Sequence, residues 1–378
     1  MYEEALKEHG SGRKAASALS MPKSTFQDRL RRERMGLPNG PTKTAEDSQP
    51  TSIIPDGYRV KGTSTMYDAD GVPRMQWVKT DVDKAAMEAM LQAAREAFTD
   101  AIPRAELVHH EGGVFDEDHL CLFVLTDAHV GMAAWGDETR AGNWDLKIAE
   151  DTIVKWIIKA VQMAPKTKTC VLGQLGDFLH YTSLIAQTPT SGHPLDADGR
   201  FQKMIRVGIR VLRRVIAVLL TKYEHVHVIP AAGNHDDAAA AIFKESFPIF
   251  YEHEPRVSFD STPSVYHAYE FGNVSLYFTH GHKSKFGSVD RVMASLFSGM
   301  FGRTAFRYCH QGHLHHSRKE EGVLMEQEIH PTLAAPDAYA ALNGYISKRS
   351  ASCVVYHREY GEVTRIKIPV EMLKGEAA

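Results

Sequence analysis

The chain has 378 residues, 43% hydrophobic and 24% charged, with a formal net charge of −3 when histidine is counted neutral. That balance is globular and lacks a global basic excess, so any nucleic-acid surface has to be local. Cys121, Cys170, Cys309 and Cys353 form no CxxC pair, which excludes zinc-ribbon and thioredoxin-type readings.

The first elements are three short helices. Residues 2–9 are closed by Gly10 and Gly12, residues 13–19 form the second, and Pro22 opens a third over 22–35 that stops at Gly36 and Pro38. Residues 37–56 are rich in Pro, Ser, Thr and Gly and read as a linker. Two β-prone runs then flank Asp70-Gly71, a hairpin signal. Met87, Met90, Leu91, Ala94 and Phe98 follow at helical spacing over 82–100. The expected divisions are thus 1–36, a linker at 37–56, a hairpin plus helix at 57–105, and one large domain at 106–378.

From about residue 119 apolar strands alternate with helices over 146–163 and 201–222, and β-rich segments close the chain. This pattern predicts a layered α/β core. No apolar run reads as a signal peptide, and no stretch approaches the roughly 20 apolar residues of a membrane span. The expectation is a cytoplasmic protein with reduced thiols and no membrane partner.

The polar residues gather at strand ends. Asp127 and His129 end the first apolar strand, Asp177 the second, Asn234, His235 and Asp236 the third, His280 the fourth, and His313 and His315 the fifth. Ligands in α/β sheets collect at the carboxyl ends of strands. Oxygen and imidazole donors without thiolate suit Mn²⁺, Fe²⁺ or Zn²⁺ more than Ca²⁺ or Mg²⁺. Seven such donors are too many for one tetrahedral ion and suit two ions sharing a carboxylate.

Asp127-x-His129, Gly176-Asp177, Gly233-Asn234-His235-Asp236, His280-Gly281-His282 and Gly312-His313-x-His315 resemble, in order, the motifs of the calcineurin-like metallophosphoesterases over residues 119–316. The resemblance implies a layered β-sandwich flanked by helices. It implies two divalent metals, with Mn favoured and Fe or Zn as alternatives. Asp127, His129 and His315 would hold one ion, Asn234, His280 and His313 the other, and Asp177 would bridge them. A metal-bridging hydroxide would attack phosphorus in line, and His235 would face the phosphate as a non-ligand, stabilising charge or protonating the leaving oxygen, with Asp236 orienting it. The block Gly176-Asp177-Phe178-Leu179-His180 departs from the protein phosphatases and resembles the Mre11/SbcD-type nucleases, which implies a place for His180 near the scissile phosphate. His267 and His227 are given no role. Lys283, Lys285, Arg291, Arg303 and Arg307 are read as a basic rim for a polyanion, and the apolar residues of 286–306 as a lid or dimer contact.

Residues 5–32 resemble a Fis-type helix-turn-helix, with Leu6, Ala15, Ala16, Leu19, Phe26 and Leu30 as its core. The third helix would enter the major groove. Lys23, Ser24, Thr25 and Gln27 would stand near the bases, with Asp28 beside them, and Arg29, Arg31, Arg32 and Arg34 would meet phosphates. Residues 12–35 hold seven Lys or Arg and two acids, net +5. The expected function is a two-metal phosphodiesterase acting on DNA, a nuclease working as a homodimer. The alternatives are a small-substrate phosphodiesterase or phosphatase and a non-catalytic DNA-binding regulator.

Overall fold

The computed structural model describes residues 1–36, 58–67, 73–82, 105, 107–110 and 112–375. The linker expected over 37–56, and nearly all of the helix expected over 82–100, lie outside the described residues. The chain divides into two compact units, Met1–Asp83 and Lys84–Ala378.

In the first unit, α1 (Tyr2–His9), α2 (Gly12–Ala18) and α3 (Lys23–Arg34) pack around Ala5, Ala15, Ala16, Phe26 and Leu30. Gly10 ends α1 at φ 69°, a left-handed cap that glycine adopts without Cβ strain. The Ser11 side chain accepts from the Lys14 amide and caps α2. Tyr2 also belongs to this core, with its ring edge-on to Phe26 at 5.9 Å. The Glu33 carboxylate accepts from the Tyr2 and Glu3 amides, so α3 caps the start of α1. The same unit takes in a hairpin of β1 (Tyr58–Tyr67) and β2 (Pro73–Val82), paired antiparallel. It is therefore not purely helical.

The second unit is a sandwich of two sheets. The six-stranded sheet runs β13-β12-β3-β4-β5-β6 and the five-stranded sheet β10-β11-β9-β8-β7. In the first, β3 (Asp116–Leu125), β4 (Thr167–Gln174), β5 (His225–Pro230) and β6 (Val257–Phe259) are parallel. In the second, β7 (His267–Phe271) opposes β8 (Val274–Phe278), and β8, β9 (Phe306–Gln311) and β11 (Glu326–Ile329) run parallel. An antiparallel edge closes each sheet: β12 (Ser350–His357) with β13 (Gly361–Pro369), and β10 (Arg318–Glu321).

The unbroken apolar run of β3 explains its central place, because both of its faces are covered. Leu120, Leu122 and Val124 point inward and meet Val274, Leu276 and Phe278 of the other sheet. Cys121, Phe123 and Leu125 point outward and pack under α5 (Leu146–Met163), α6 (Phe201–Lys222) and α7 (Asp237–Phe250). Each such buried side chain contributes about 1.5–3 kcal/mol. Asp145 starts α5 by accepting from the Ile148 amide.

Five of the apolar residues of 286–306 pack on a sheet. α8 (Val289–Leu296) and α9 (Ser298–Arg303) lay Val289, Met293, Phe297, Met300 and Phe301 on Tyr277, Cys309 and Met325, the outer face of the five-stranded sheet. The layers are therefore helix, sheet, sheet, helix, the α/β architecture that the alternation predicted. All four cysteines are buried and unpaired.

Candidate metal centre

Parallel pairing brings the ends of β3, β4 and β5 to one edge of their sheet, and the ends of β8 and β9 to the facing edge of the other. The loops beyond these ends are stitched together. The Asp127 amide donates to Gly176, the His129 amide to the Asp177 carbonyl, and the Gly312 amide to the His280 carbonyl. The fit is tight. A Cβ on Gly233 would collide with the Asp177 carboxylate, and one on Gly312 with the Thr126 hydroxyl. Glycine is required at both for steric reasons alone.

Among the described residues, seven non-glycine residues have φ in the left-handed region, and five of them are Asp127, His129, Asp177, His313 and His315. Such backbone costs of order 1–3 kcal/mol per residue and persists where the surroundings enforce it, chiefly at functional sites. Five expected metal ligands share this strain.

Their side chains converge. Donor atoms of Asp127, His129 and His315 lie within 4.8 Å of one another, as do those of Asp177, His280 and His313. His315 Nε2 stands 3.2 Å from Asp127 Oδ1 and 3.3 Å from His129 Nε2. His280 Nε2 stands 3.1 Å from Asp177 Oδ2, 3.1 Å from Asn234 Oδ1 and 4.0 Å from Asp127 Oδ1. Asp177 therefore reaches the same imidazole that Asp127 faces from the other half.

Several expected ligands are fixed from behind. His280 Nδ1 donates to the Leu175 carbonyl at 2.8 Å, which leaves Nε2 as the free donor atom. The Thr126 hydroxyl donates to Asp127 Oδ2 at 2.6 Å, and the His313 amide donates to both Asp127 oxygens.

Electrostatics reinforce the grouping. Asp127 and Asp177 are both buried. Burial opposes their charge, but the surrounding imidazoles hold both carboxyls below the usual range, Asp177 well below it. Burial likewise opposes charge on His280, yet Asp177 and Asp127 lift it to about 10. Burial, with His235 and His315 nearby, pushes His129 well down. Two buried carboxylates facing imidazole nitrogens form a site that divalent cations would complete by displacing the imidazole protons. The donor set thus fits two ions, with O and N ligands on both halves.

His235 sits beside this pocket, half-buried. Its amide donates to Asp177 Oδ1 at 2.8 Å and its Nδ1 to the His180 carbonyl at 3.0 Å, so Nε2 is left for a ligand.

One expected role is corrected. Asp236 does not orient His235. Its oxygens accept from the Leu179 and Gly233 amides at 3.0 and 2.9 Å, which ties the loop after β4 to the loop after β5. Burial and the nearby Asp177 raise its carboxyl to about 6. His180, expected near the phosphate, stands between His129 and His235, its ring stacked 5.7 Å from that of His235. It is buried, with Nδ1 3.2 Å from His129 Nδ1, and burial and His235 lower it to about 3. Neutral His180 thereby holds the ring of His129, one of the expected ligands. The sequence could not separate these roles, because each depends on which loop the side chain meets.

The basic rim is also reduced. Arg303 pairs with Glu270, and Arg307 donates to the Phe301 and Thr304 carbonyls at the end of α9. His267 pairs with Asp260 and His227 with Ser258, consistent with no role for either. His282, which motif reasoning left open, lies 5.3 Å from the His280 ring, and burial lowers it to about 4. Another buried group, His310, Glu328 and His330, is satisfied internally by Tyr356 and Arg365 and links the two sheets.

On α3, Lys23, Ser24, Gln27, Arg31 and Arg34 are exposed and Thr25 is half-buried. Arg29 donates to the Tyr2 hydroxyl, Arg32 pairs with Asp28, and Arg34 with Glu3.

The chain matches no protein-family model and no curated protein. Solved structures similar to it include a conserved Streptococcus pneumoniae protein described as a predicted phosphoesterase (12% identity, 66% of this chain, 98% of that one, TM-score 0.28). An archaeal phosphodiesterase covers 66% and 99% at 14% identity and TM-score 0.34. Zinc-complexed Vps29 of Entamoeba histolytica covers 66% and 99% at 11% identity and TM-score 0.27. Likenesses this low carry no argument about activity.

Proposed function

We propose that this chain is a metal-dependent phosphodiesterase with two divalent ions, Mn²⁺ foremost, and that its substrate is DNA. The observation that carries the chemistry is the convergence of seven Asp, Asn and His donors from five strand ends, five of them on left-handed backbone. Asp127, His129 and His315 would hold one ion, Asn234, His280 and His313 the other, with Asp177 shared. Divalent ions in such a pocket supply Lewis acidity and bring the ionisation of water toward neutral pH.

The chain's own groups do the rest. His235 Nε2 offers a proton to the departing oxygen or a hydrogen bond to a phosphoryl oxygen. His180 holds His129, the Leu175 carbonyl holds His280, and Asp236 keeps the two loops in register. For DNA, the support is the exposed face of α3. Arg32 and Arg34 sit in exposed ion pairs, which are weak enough to exchange for phosphates. Pairing of two copies would place two such helices on one duplex; light scattering that shows a monomer at working concentration removes that part.

A small-substrate phosphodiesterase is the second reading. Its support is the segment over 181–200, which is pinned to the His129 loop by Ala133–Asp196 and Asp198–Gly131 backbone bonds as a fixed wall. The test is Mn²⁺-dependent cleavage of end-labelled linear and circular DNA, single- and double-stranded, beside a chromogenic diester. DNA cleavage lost in His235→Ala supports the nuclease. Turnover of the small diester with DNA untouched supports the second reading.

A further inference from the structure

Five aromatic side chains are exposed among the described residues: Trp77, Trp135, Tyr339, Tyr345 and Tyr360. Three of these, Trp135, Tyr339 and Tyr345, stand on two segments bound to the metal centre. Trp135 lies on the loop that leaves His129 and begins α4 (Gly136–Thr139). Tyr339 lies on α10 (Ala338–Leu342), which packs against α4. Tyr345 follows α10, with its ring 6.3 Å from that of Tyr339.

Both segments are anchored to ligands. The Ser347 hydroxyl donates to the His315 carbonyl at 2.5 Å, and Trp144 Nε1 donates to the His129 carbonyl at 3.4 Å. Arg349 joins the two segments by donating to the Ala141 and Leu333 carbonyls while lying over the Trp144 ring. The aromatic rim therefore flanks the Asp127, His129 and His315 half of the centre. Leu342 and Ile346, 83% and 84% exposed, extend it.

Exposed aromatic and aliphatic side chains gathered on two adjoining segments beside a polar centre mark a binding surface. Resting on the phosphodiesterase reading, we propose that Trp135, Tyr339 and Tyr345 stack the unpaired bases of single-stranded DNA next to the phosphate under attack. Aromatic faces accept any base, and only an unpaired strand offers its base faces. The local charge fits this division of labour. Arg140 and Lys348 are exposed on these segments, but so are Asp137 and Glu138 on α4. The rim is thus close to neutral, so stacking rather than phosphate attraction holds the strand and the salt dependence at the rim is shallow.

The test uses the full chain with Mn²⁺ and three probes of one length: oligo(dT), the same backbone without bases, and a duplex. Trp135→Ala/Tyr339→Ala/Tyr345→Ala should raise the KM for oligo(dT) by about 5–150-fold per stacked base lost. It should move the KM for the abasic strand far less. In a Trp77→Phe background Trp135 is the exposed indole, since Trp144 and Trp156 are buried. Oligo(dT) should quench it, and the abasic strand should not. This reading survives even if the triple variant folds poorly. Equal losses on both strands, or no quenching, overturn the proposal. So does a wild-type dimer that the triple variant dissociates while oligo(dT) binding is unchanged, which makes the rim an interface. If the wild type hydrolyses no diester at all, the phosphodiesterase reading fails and the rim falls with it. If it cleaves both strands equally well, only the rim fails.

Discussion

Replacing His235 by alanine separates catalysis from metal binding. His235 meets Asp177 through its backbone, an amide donating to Oδ1 at 2.8 Å, and alanine keeps that contact. The side chain gives up one hydrogen bond, Nδ1 to the His180 carbonyl at 3.0 Å. A half-buried hydrogen bond of this kind is worth about 1 kcal/mol, too little to unfold a domain of this size. The catalytic loss is larger. A general acid contributes about 10²–10⁴-fold, or about 2.7–5.4 kcal/mol at 1.36 kcal/mol per decade. Purified His235→Ala should therefore carry the wild-type metal content by elemental analysis and melt within a few degrees of wild type, while kcat on a chromogenic diester falls at least a hundredfold. Full retained activity would refute the role of Nε2. Loss of metal together with activity would show that the imidazole is a ligand, through the cluster it forms with His129 and His180.

Asp177→Ala should abolish binding of at least one ion, because it removes the shared carboxylate and leaves His280 without its partner at 3.1 Å; unchanged metal content contradicts the bridge. Metal loading should release protons and tighten as pH rises through neutrality, since Asp177 and Asp127 outweigh burial and keep His280 protonated up to about 10 in the metal-free protein. The sign for stability is the opposite one: with its folded value raised, His280 stabilises metal-free protein fully below about pH 6.5, and that contribution fades as pH climbs toward 10. A metal-free melting temperature that rises over this interval would contradict the ion pair. His180→Ala should weaken metal affinity about 10–100-fold through His129, as outer partners of ligands do; unchanged affinity with a lower kcat would return His180 to the phosphate. Phe26→Ala, at a fully buried site, should cost about 3–5 kcal/mol and unfold the three-helix cluster. Loss of DNA binding with the small-diester kcat intact would tie that cluster to targeting, whereas undiminished binding by an unfolded cluster would remove it from the interface.

The sequence by itself determined the layers and the loops that carry the expected ligands. Apolar runs of period two and unbroken length mark β3, β4 and β8, and helical periodicity marks α5 and α6 at the residues where they stand. Strand ends are legible for a local reason, since each run stops where Asp, Asn or His begins. The small core around Phe26 was legible too, except for Tyr2 and Ala5, whose burial depends on how α1 lies on the other two helices. Side-chain roles beyond the ligands were decided only in three dimensions. Asp236 stands next to His235 in the chain, yet it binds the amides of Leu179 and Gly233. His180 follows Asp177 by three residues, yet it turns inward to His129. Arg303 and Arg307 read as a free basic rim until Glu270 and the end of α9 take them up. The aromatic rim left no motif, because Trp135 and Tyr339 are some two hundred positions apart and meet only through the packing of α4 on α10. Periodicity encodes which face of an element is buried; which loops then touch is set by strand pairing and helix packing between residues distant in sequence.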